Sequence, residues 1–233
     1  MLTIGLLGGM SWESSVHYEE LINTEVRARL GGASSADLIV RSYNFADIQE
    51  MQELSNWDEA GELLAKGAQT LATAGAEVIA LCTNTMHIVA DTVAAATDAT
   101  FVHLCDVTAK AILADGHHTV GLLGTRFTME MPFYREQLES HGLTVLTPNE
   151  EERTIVHDVI YNELVQGELN RESRENYLDI IDRLSSSGAQ GVIAGCTEIE
   201  LLVTADDVFL PYYATTELHA CLLYTSPSPR DRG

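Results

Sequence analysis

The segment IGLLG occupies residues 4–8, and the closely similar segment VGLLG occupies residues 120–124. Short apolar runs that end in glycine and precede a helical pattern are typical of parallel strands buried on both faces. A second match follows in the same order, because GAEVIALCT at residues 75–83 returns as GAQGVIAGCT at residues 188–197 with one residue inserted. Two matches in the same order predict a duplicated α/β half-domain.

Apolar runs and amphipathic helical patterns alternate along most of the chain, which indicates parallel βαβ units. We predict strands at residues 1–7, 37–43, 77–81, 101–104 and 119–123, and helices at residues 13–30, 56–74, from about 84, and 106–114. Asn56 is the expected N-cap of the second helix because Glu59 follows three residues later. The acidic stretch at residues 149–153 is expected to begin another helix.

The charge balance limits the partners that this protein can have. The 233 residues include 13 Lys+Arg and 35 Asp+Glu, for a net charge of −22. Such a field repels nucleic-acid backbones and anionic membranes, so we expect neither as a partner. No apolar run approaches the ~20 residues of a membrane span, and residues 1–10 lack a signal-peptide pattern. We therefore expect a cytoplasmic protein with reduced cysteines and, since no Cys/His zinc spacing occurs, no metal.

The end of the chain departs from the α/β pattern. A helix is expected at residues 216–220, but the Ser-Pro-Ser-Pro sequence at residues 226–229 cannot continue a helix. We interpret residues 221–233 as a non-native tail that replaces the last helix of the fold.

Two cysteines carry the strongest chemical signal. Cys82 and Cys196 each follow an apolar strand of the repeat, and each is followed by threonine. The carboxyl ends of parallel strands are where open α/β sheets bind ligands, and a helix that begins there lowers a thiol pKa. A lone cysteine at such a position is usually a buried apolar residue. Two at equivalent positions predict a pair of acid/base groups that serve opposite faces of one carbon. A redox dithiol and a single nucleophile with a bystander are the alternatives.

The glycine-rich turn at residues 8–11 lies between the first strand and its helix. Its glycines would let an anion approach the helix N-terminus, or would simply permit a tight strand-to-helix turn. The turn does not match the GxGxxG pattern in register. Both interpretations stay open, as they do for the equivalent turn at residues 124–126.

Three segments resemble one known family. GLLGGMSWESS at residues 5–15, CTNTMH at residues 82–87 and GCTEIELL at residues 195–202 are similar to the aspartate/glutamate racemases. The resemblance extends from Met1 to about Ala220. It implies an α/β fold of two flavodoxin-like parallel-sheet half-domains, related by pseudo-two-fold symmetry, with the active site between them. It also implies a homodimer that acts on a small amino acid without a cofactor.

The resemblance divides the chain and assigns its site. The N-terminal half is residues 1–105 with residues 206–220 returning to it, and the C-terminal half is residues 106–205. The family's catalytic cysteines correspond to Cys82 and Cys196, as a thiolate/thiol pair. The residues that correspond to the family's substrate contacts are Gly9, Met10, Gln52, Thr83, Asn84, Thr85, Thr125, Thr197 and Glu198.

Several of these residues also have simpler interpretations. Asn84 and Thr85 could bind a carboxylate or only cap a helix, and Glu198 could meet the substrate ammonium. Without the resemblance, Gln52 is a surface amide and His87 is a histidine on a helix face. We expect Trp12 and Trp57 to be packing residues. The only two lysines, Lys66 and Lys110, lie in predicted helices away from both cysteines, so no Schiff-base lysine is expected.

The substrate is less defined than the chemistry. The segments at residues 47–49 and 163–167 contain no Lys or Arg, although some aspartate racemases of the family carry basic residues there. A side-chain carboxylate would then depend on Arg41, Arg126 or Arg153. The resemblance is compatible with aspartate, glutamate or another amino acid. Alternatives of the same fold are a hydantoin racemase, a maleate isomerase, an arylmalonate decarboxylase, which a single cysteine would favour, and a non-catalytic dicarboxylate-binding protein.

Overall fold

The computed structural model describes residues 1–225 and divides them into two compact units. Among the described residues, the first unit contains Met1–Leu104 and residues 219–225, and the second contains Cys105–Leu218. Each unit has a four-stranded parallel sheet with helices packed against it.

The sheet of the first unit has the strand order β2-β1-β3-β4. Its strands are β1 (Thr3–Gly8), β2 (Asp37–Ser42), β3 (Val78–Leu81) and β4 (Thr100–Phe101). The helices are α1 (Trp12–Leu30), α2 (Phe45–Glu53), α3 (Trp57–Thr73) and α4 (Ala90–Ala94), and a 3₁₀ turn covers Thr85–Val89.

The sheet of the second unit has the equivalent order, β6-β5-β7-β8. Its strands are β5 (Thr119–Gly124), β6 (Thr144–Leu146), β7 (Gly191–Gly195) and β8 (Tyr212–Ala214). The helices that follow α4 are α5 (Leu104–Ala114), α6 (Arg126–Glu130), α7 (Pro132–Ser140), α8 (Glu150–Asn162), α9 (Arg171–Ser186), α10 (Ile199–Leu202) and α11 (Thr215–Thr225). The shared order agrees with the predicted repeat.

The repeated glycine inside each first strand has a packing function. A Cβ on Gly5 would lie 2.9 Å from the Ala76 Cβ and 3.2 Å from the Leu71 Cβ, and one on Gly121 would lie 2.9 Å from the Leu184 Cδ1. A side chain at either position would push the neighbouring helix away from the sheet. Both copies of the motif therefore place a helix directly against the central strand.

The strand order also fixes where ligands can bind. In each sheet the chain leaves the first strand toward one neighbour and later returns to its other side. This reversal opens a crevice at the carboxyl ends of the two adjacent strands. The Gly9 turn and Cys82 follow β1 and β3, and Thr125 and Cys196 follow β5 and β7. The predicted site residues of each unit thus follow the pair of strands that forms its crevice.

Three sequence predictions about elements need correction. The fourth strand is only Thr100–Phe101, and Leu104 begins α5 instead of ending a strand. The segment after Asn84 starts as a 3₁₀ turn before α4. Residues 206–218 do not return to the first unit, because β8 pairs with β7 in the second sheet and completes its edge.

The end of the chain is more regular than expected. Helix α11 continues without a break through Cys221 to Thr225, and the Leu223 side chain is buried. The predicted helix at residues 216–220 therefore extends to Thr225, with Leu223 as a further buried apolar residue. The interpretation of residues 221–233 as a non-native tail stays a prediction, and residues 226–233 lie outside the described residues. Within the described chain, no helix is both long and apolar enough to cross a membrane.

Candidate active site

Cys82 is held at the end of β3 by contacts with β1 and α1. Its backbone N–H donates to the Leu7 carbonyl at 2.9 Å, and the Ser14 hydroxyl donates to the Cys82 carbonyl at 3.3 Å. The side chain is fully buried, and this burial raises the pKa of the Cys82 thiol, with a smaller contribution from the Glu19 carboxylate. The expected lowering of this pKa by a following helix is wrong, since burial outweighs the effect of a short 3₁₀ turn.

The glycine-rich turn is packed against the protein's own backbone. The Gly9 N–H donates to the Ser15 hydroxyl at 2.7 Å, and that hydroxyl donates to the Ser11 carbonyl at 3.1 Å. Gly9 has φ +81°, and a Cβ there would lie 2.3 Å from the Tyr43 nitrogen and oxygen. Met10 packs into the apolar core of the first unit. The tight-turn interpretation therefore accounts for Gly9 without a ligand.

The other predicted contacts of the first unit cluster around the segment that follows Cys82. Thr83, Asn84 and Thr85 are all buried, and the Asn84 side chain makes no capping bond to the 3₁₀ turn. Gln52 is only 2% exposed, and its amide donates to the Met86 sulfur at 3.2 Å. The surface interpretation of Gln52 is wrong, because α2 folds this amide against the segment after Cys82.

Cys196 occupies the equivalent position in the second unit, at the end of β7. Its thiol donates to the Glu198 Oε2 at 2.9 Å, and the Thr197 hydroxyl donates to the same oxygen at 2.8 Å. Burial raises the pKa of the Cys196 thiol well above its usual value, and the Glu198 carboxylate raises it further. The expected lowering of this pKa is wrong as well. The Cys196 thiol and the Glu198 carboxylate form a directly hydrogen-bonded pair.

Thr125 lies at the same sheet edge as Cys196. The strands β5 and β7 end level, because Gly124 pairs with Gly195 in register. The Thr125 hydroxyl accepts a hydrogen bond from the Thr128 N–H at 3.3 Å and so caps α6. The fold brings Thr125 next to the strand that carries Cys196, with part of its hydrogen-bonding capacity used in the cap.

The comparisons with known proteins agree with this arrangement. The Asp/Glu/hydantoin racemase family model matches residues 7–223. The chain belongs to this racemase family. A solved candidate Asp/Glu racemase from Yersinia pestis is 46% identical, with a TM-score of 0.91 over 97% of this chain and 98% of the other. An aspartate racemase homologue from Pyrococcus horikoshii OT3 is 34% identical, with a TM-score of 0.85 over 97% and 98%.

A more distant structure shows the fold alone. The aspartate racemase of Picrophilus torridus is 18% identical, with a TM-score of 0.77 over 97% of this chain and 94% of the other. The family resemblance of the three sequence segments is thus confirmed, and so is the α/β fold with two parallel sheets.

The three arginines of this racemase-family chain that could meet a second carboxylate differ in their surroundings. Arg153 donates to the Glu130 carboxylate at 2.9 Å and to the Pro148 carbonyl at 2.8 Å. Arg41 lies 4.7 Å from the centre of the Tyr43 ring. Arg126 is exposed, follows Thr125 directly, and forms no salt bridge within residues 1–225. Of the three, Arg126 is the one that directly follows a predicted site residue.

Two features of the site region were not foreseen from the sequence. The Glu200 Oε1 accepts hydrogen bonds from the Thr216 N–H at 3.0 Å and the Thr216 hydroxyl at 2.9 Å, while the buried Oε2 has no partner among the described residues. Burial raises the pKa of this carboxyl to about 8. A carboxylate within the apolar run at residues 199–202 was the available signal. His87 is buried and not on an exposed helix face.

The two tryptophans behave differently. Trp57 is partly buried against the core of the first unit, as expected of a packing residue. Trp12 is 64% exposed, so its prediction as a packing residue is wrong. Within residues 1–225, no cluster of three His, Cys, Asp or Glu side chains is arranged to hold a metal ion.

Proposed function

We propose that this protein is a cofactor-independent amino-acid racemase that acts on aspartate and/or glutamate with Cys82 and Cys196 as its two acid/base groups. One observation carries the proposal. The buried thiol of Cys82 follows β3 in the first unit, and the buried thiol of Cys196 follows β7 in the second. Each strand borders the crevice where its sheet can bind a ligand. That the two thiols flank one substrate carbon stays a prediction, supported by the family membership and the repeat.

The surroundings of the thiols suggest how the proton moves. Glu198 accepts the hydrogen bond of the Cys196 thiol, so it can take that proton and leave a thiolate. The Cys196 thiolate then removes the proton from Cα on one face. Cys82, whose pKa burial raises, keeps its proton until it delivers it to the opposite face of the carbanion. The reverse reaction begins with Cys82 as the thiolate and Cys196 as the thiol, so the protons balance.

Binding groups for the substrate lie beside each thiol. We propose that Asn84, Thr85 and Thr125 contact the substrate α-carboxylate, and that a carboxyl oxygen of Glu198 accepts a hydrogen bond from its ammonium. Arg126 is the arginine that we propose for a side-chain carboxylate, because it follows Thr125 and has no salt bridge among the described residues. This assignment favours acidic amino acids over neutral ones.

The lysines favour chemistry without pyridoxal phosphate. A Schiff base needs a lysine inside the site, whereas Lys66 and Lys110 are exposed on α3 and α5. The cofactor-free reaction, the homodimer and the cytoplasmic location all stay predictions.

The test combines serine variants with deuterium exchange. Cys82→Ser and Cys196→Ser should each lower racemisation by about 10²–10⁴-fold, because serine is far less acidic and inversion needs both groups. Each variant keeps one of the two proposed catalytic thiols, so in D₂O each should exchange the α-proton of one enantiomer only. The two variants should prefer opposite enantiomers. The measurement is NMR of D- and L-aspartate, glutamate and a panel of neutral amino acids.

Cys105→Ser is the matched control. This thiol is also buried, but it lies in α5, after β4, and does not directly follow any of the four strands that border the crevices. The Cys105→Ser variant should racemise amino acids at the wild-type rate. Near wild-type racemisation by either Cys82→Ser or Cys196→Ser would refute the two-thiol mechanism, and a wild type that binds the amino acids without exchanging the α-proton would be a binding protein.

A further inference from the structure

His87 links the segment that carries Cys82 to the start of α5. Its Nδ1 lies 2.8 Å from the Thr83 carbonyl, and since a carbonyl only accepts, Nδ1 carries the proton. The Leu104 N–H donates to the His87 Nε2 at 3.2 Å, so Nε2 is the acceptor. These two bonds define one neutral tautomer of His87, which connects the residue after Cys82 to the backbone of Leu104.

His219, on α11, has the opposite tautomer. Its Nε2 lies 2.9 Å from the Val102 carbonyl, so Nε2 carries the proton. Its Nδ1 lies 2.9 Å from the Tyr18 hydroxyl, which must then be the donor. His219 therefore connects α1 and α11 to Val102, two residues before the backbone group that His87 binds.

The two histidines thus hold the same short segment. His219 donates to the carbonyl of Val102, and His87 accepts from the N–H of Leu104. The ring of His103, between them in sequence, lies 4.7 Å from the ring of His87. Four hydrogen bonds and the backbone of residues 102–104 therefore connect Tyr18, through His219 and His87, to Thr83.

We infer that His87 and His219 are positioning residues that hold the backbone of Cys82 and Thr83 in place for proton transfer and connect it to α11. This inference rests on the proposed function and assigns these residues no direct contact with substrate. Displacement of a reacting group by about 1 Å can cost about 10²-fold in rate, so a bond to the adjacent carbonyl is enough to affect catalysis.

Both histidines must stay neutral for this arrangement. Protonation of His87 would place a second N–H against the Leu104 N–H and remove its acceptor, and protonation of His219 would reverse the bond with Tyr18, whose hydroxyl would have to accept. The titratable groups that face His87 are His103 and His219, and those that face His219 are Tyr18, His87 and His103. Burial lowers the pKa of His219 to about 4 and that of His87 well below its usual value. Below about pH 6.5 these histidines become protonated in the unfolded chain but stay neutral in the folded chain. The free energy of unfolding therefore falls as the pH decreases from about 6.5 toward 4.

The opposite tautomers permit a crossed set of variants. Asparagine can replace a donor at Nδ1, and glutamine can replace a donor at Nε2. His87→Asn and His219→Gln therefore keep the bonds to the Thr83 and Val102 carbonyls, whereas His87→Gln and His219→Asn lose them. We expect kcat to fall less than about tenfold in the first pair and about 10²-fold in the second, with KM nearly unchanged.

The affected step identifies the role. His87→Gln should show the enantiomer preference in D₂O exchange that Cys82→Ser shows, because exchange at Cys196 survives. A role in stability alone would lower the melting temperature and impair both enantiomers equally. Equal activities for His87→Asn and His87→Gln would overturn the proposal. The same two substitutions at His118, an exposed histidine of the second unit, are the matched control and should change neither activity nor melting temperature.

A second measurement does not depend on activity. In ¹⁵N NMR of the wild type, His87 should carry its proton on Nδ1 and His219 on Nε2, and both should stay neutral at pH 5.5. Different tautomers, or charged rings at that pH, would overturn the inference even if the protein racemises. The expected tautomers in a protein without racemase activity would instead refute the proposed function and leave the hydrogen-bonded path intact.

Discussion

At the scale of single residues, the two thiols differ in the residue two positions later. Asn84 follows Cys82 at this distance, and Glu198 follows Cys196. Only Cys196 therefore has a neighbouring carboxylate in its own motif, and its thiol donates to that carboxylate. A nearby negative charge disfavours a thiolate. The two cysteines therefore occupy equivalent positions in the repeat but have different electrostatic surroundings.

Glu198→Gln tests this difference. Removal of the carboxylate should lower the pKa of Cys196, because Glu198 raises it both by charge and by accepting the thiol proton. The thiolate fraction changes about tenfold for each pKa unit, so alkylation of Cys196 by iodoacetamide at pH 8 should become several-fold faster. Racemisation should nevertheless fall about 10²-fold or more, since an amide cannot take the proton that the Cys196 thiol must release within the closed site.

Alkylation is measured by mass spectrometry of the peptide that contains Cys196. Glu168→Gln, which neutralises an exposed carboxylate on a loop of the second unit, is the control and should change neither rate. Slower alkylation of Cys196 in Glu198→Gln would contradict the proposed charge effect.

At the scale of elements, two asparagines at helix starts differ in what they contribute. The Asn149 side chain accepts from the Glu152 N–H at 3.0 Å, and the Glu152 carboxylate accepts from the Asn149 N–H at 3.0 Å. This capping box confirms the expected acidic helix start at residues 149–153. Asn56 precedes α3 but makes no side-chain capping bond, so the predicted cap by Asn56 is not formed.

The pair gives a matched stability test. Asn149→Ala should lower the free energy of unfolding by about 1 kcal/mol, because the first turn of α8 loses its cap. Asn56→Ala should change it by less than about 0.5 kcal/mol, as for other substitutions that remove no interaction. Urea unfolding followed by circular dichroism measures both, and a larger loss for Asn56→Ala would contradict the assignment of the caps.

At the scale of the whole molecule, the net charge of −22 opposes folding. Like charges repel more strongly in the compact state than in the extended chain, and salt screens this repulsion. The melting temperature should therefore rise by several degrees between about 10 mM and about 0.5 M NaCl, where the Debye length falls well below about 10 Å.

The control for this measurement replaces chloride salt with sucrose at the same osmolality, which stabilises by exclusion without screening. An equal rise in both solutes would show that charge repulsion is not responsible. A fall in melting temperature with NaCl would indicate that favourable ion pairs, such as Arg153 with Glu130, outweigh the repulsion.

The sequence by itself determined the features that depend on local pattern. Most of the strands and helices that the period of apolar residues predicted lie within one or two residues of the observed bounds, and the repeated IGLLG and VGLLG segments indicated the two parallel sheets. The positions of Cys82 and Cys196 at strand ends followed from the same pattern. These predictions succeeded because alternation, capping and strand burial are decided by residues close in sequence.

Only the tertiary structure decided which groups are buried and what they bind. Gln52 contacts Met86, and Glu200 contacts Thr216, through residues distant in the chain. Both thiols have raised pKa values, against the sequence expectation, because desolvation depends on every element that packs around them. The tautomers of His87 and His219 likewise follow from carbonyls and donors that only the fold brings within hydrogen-bond distance.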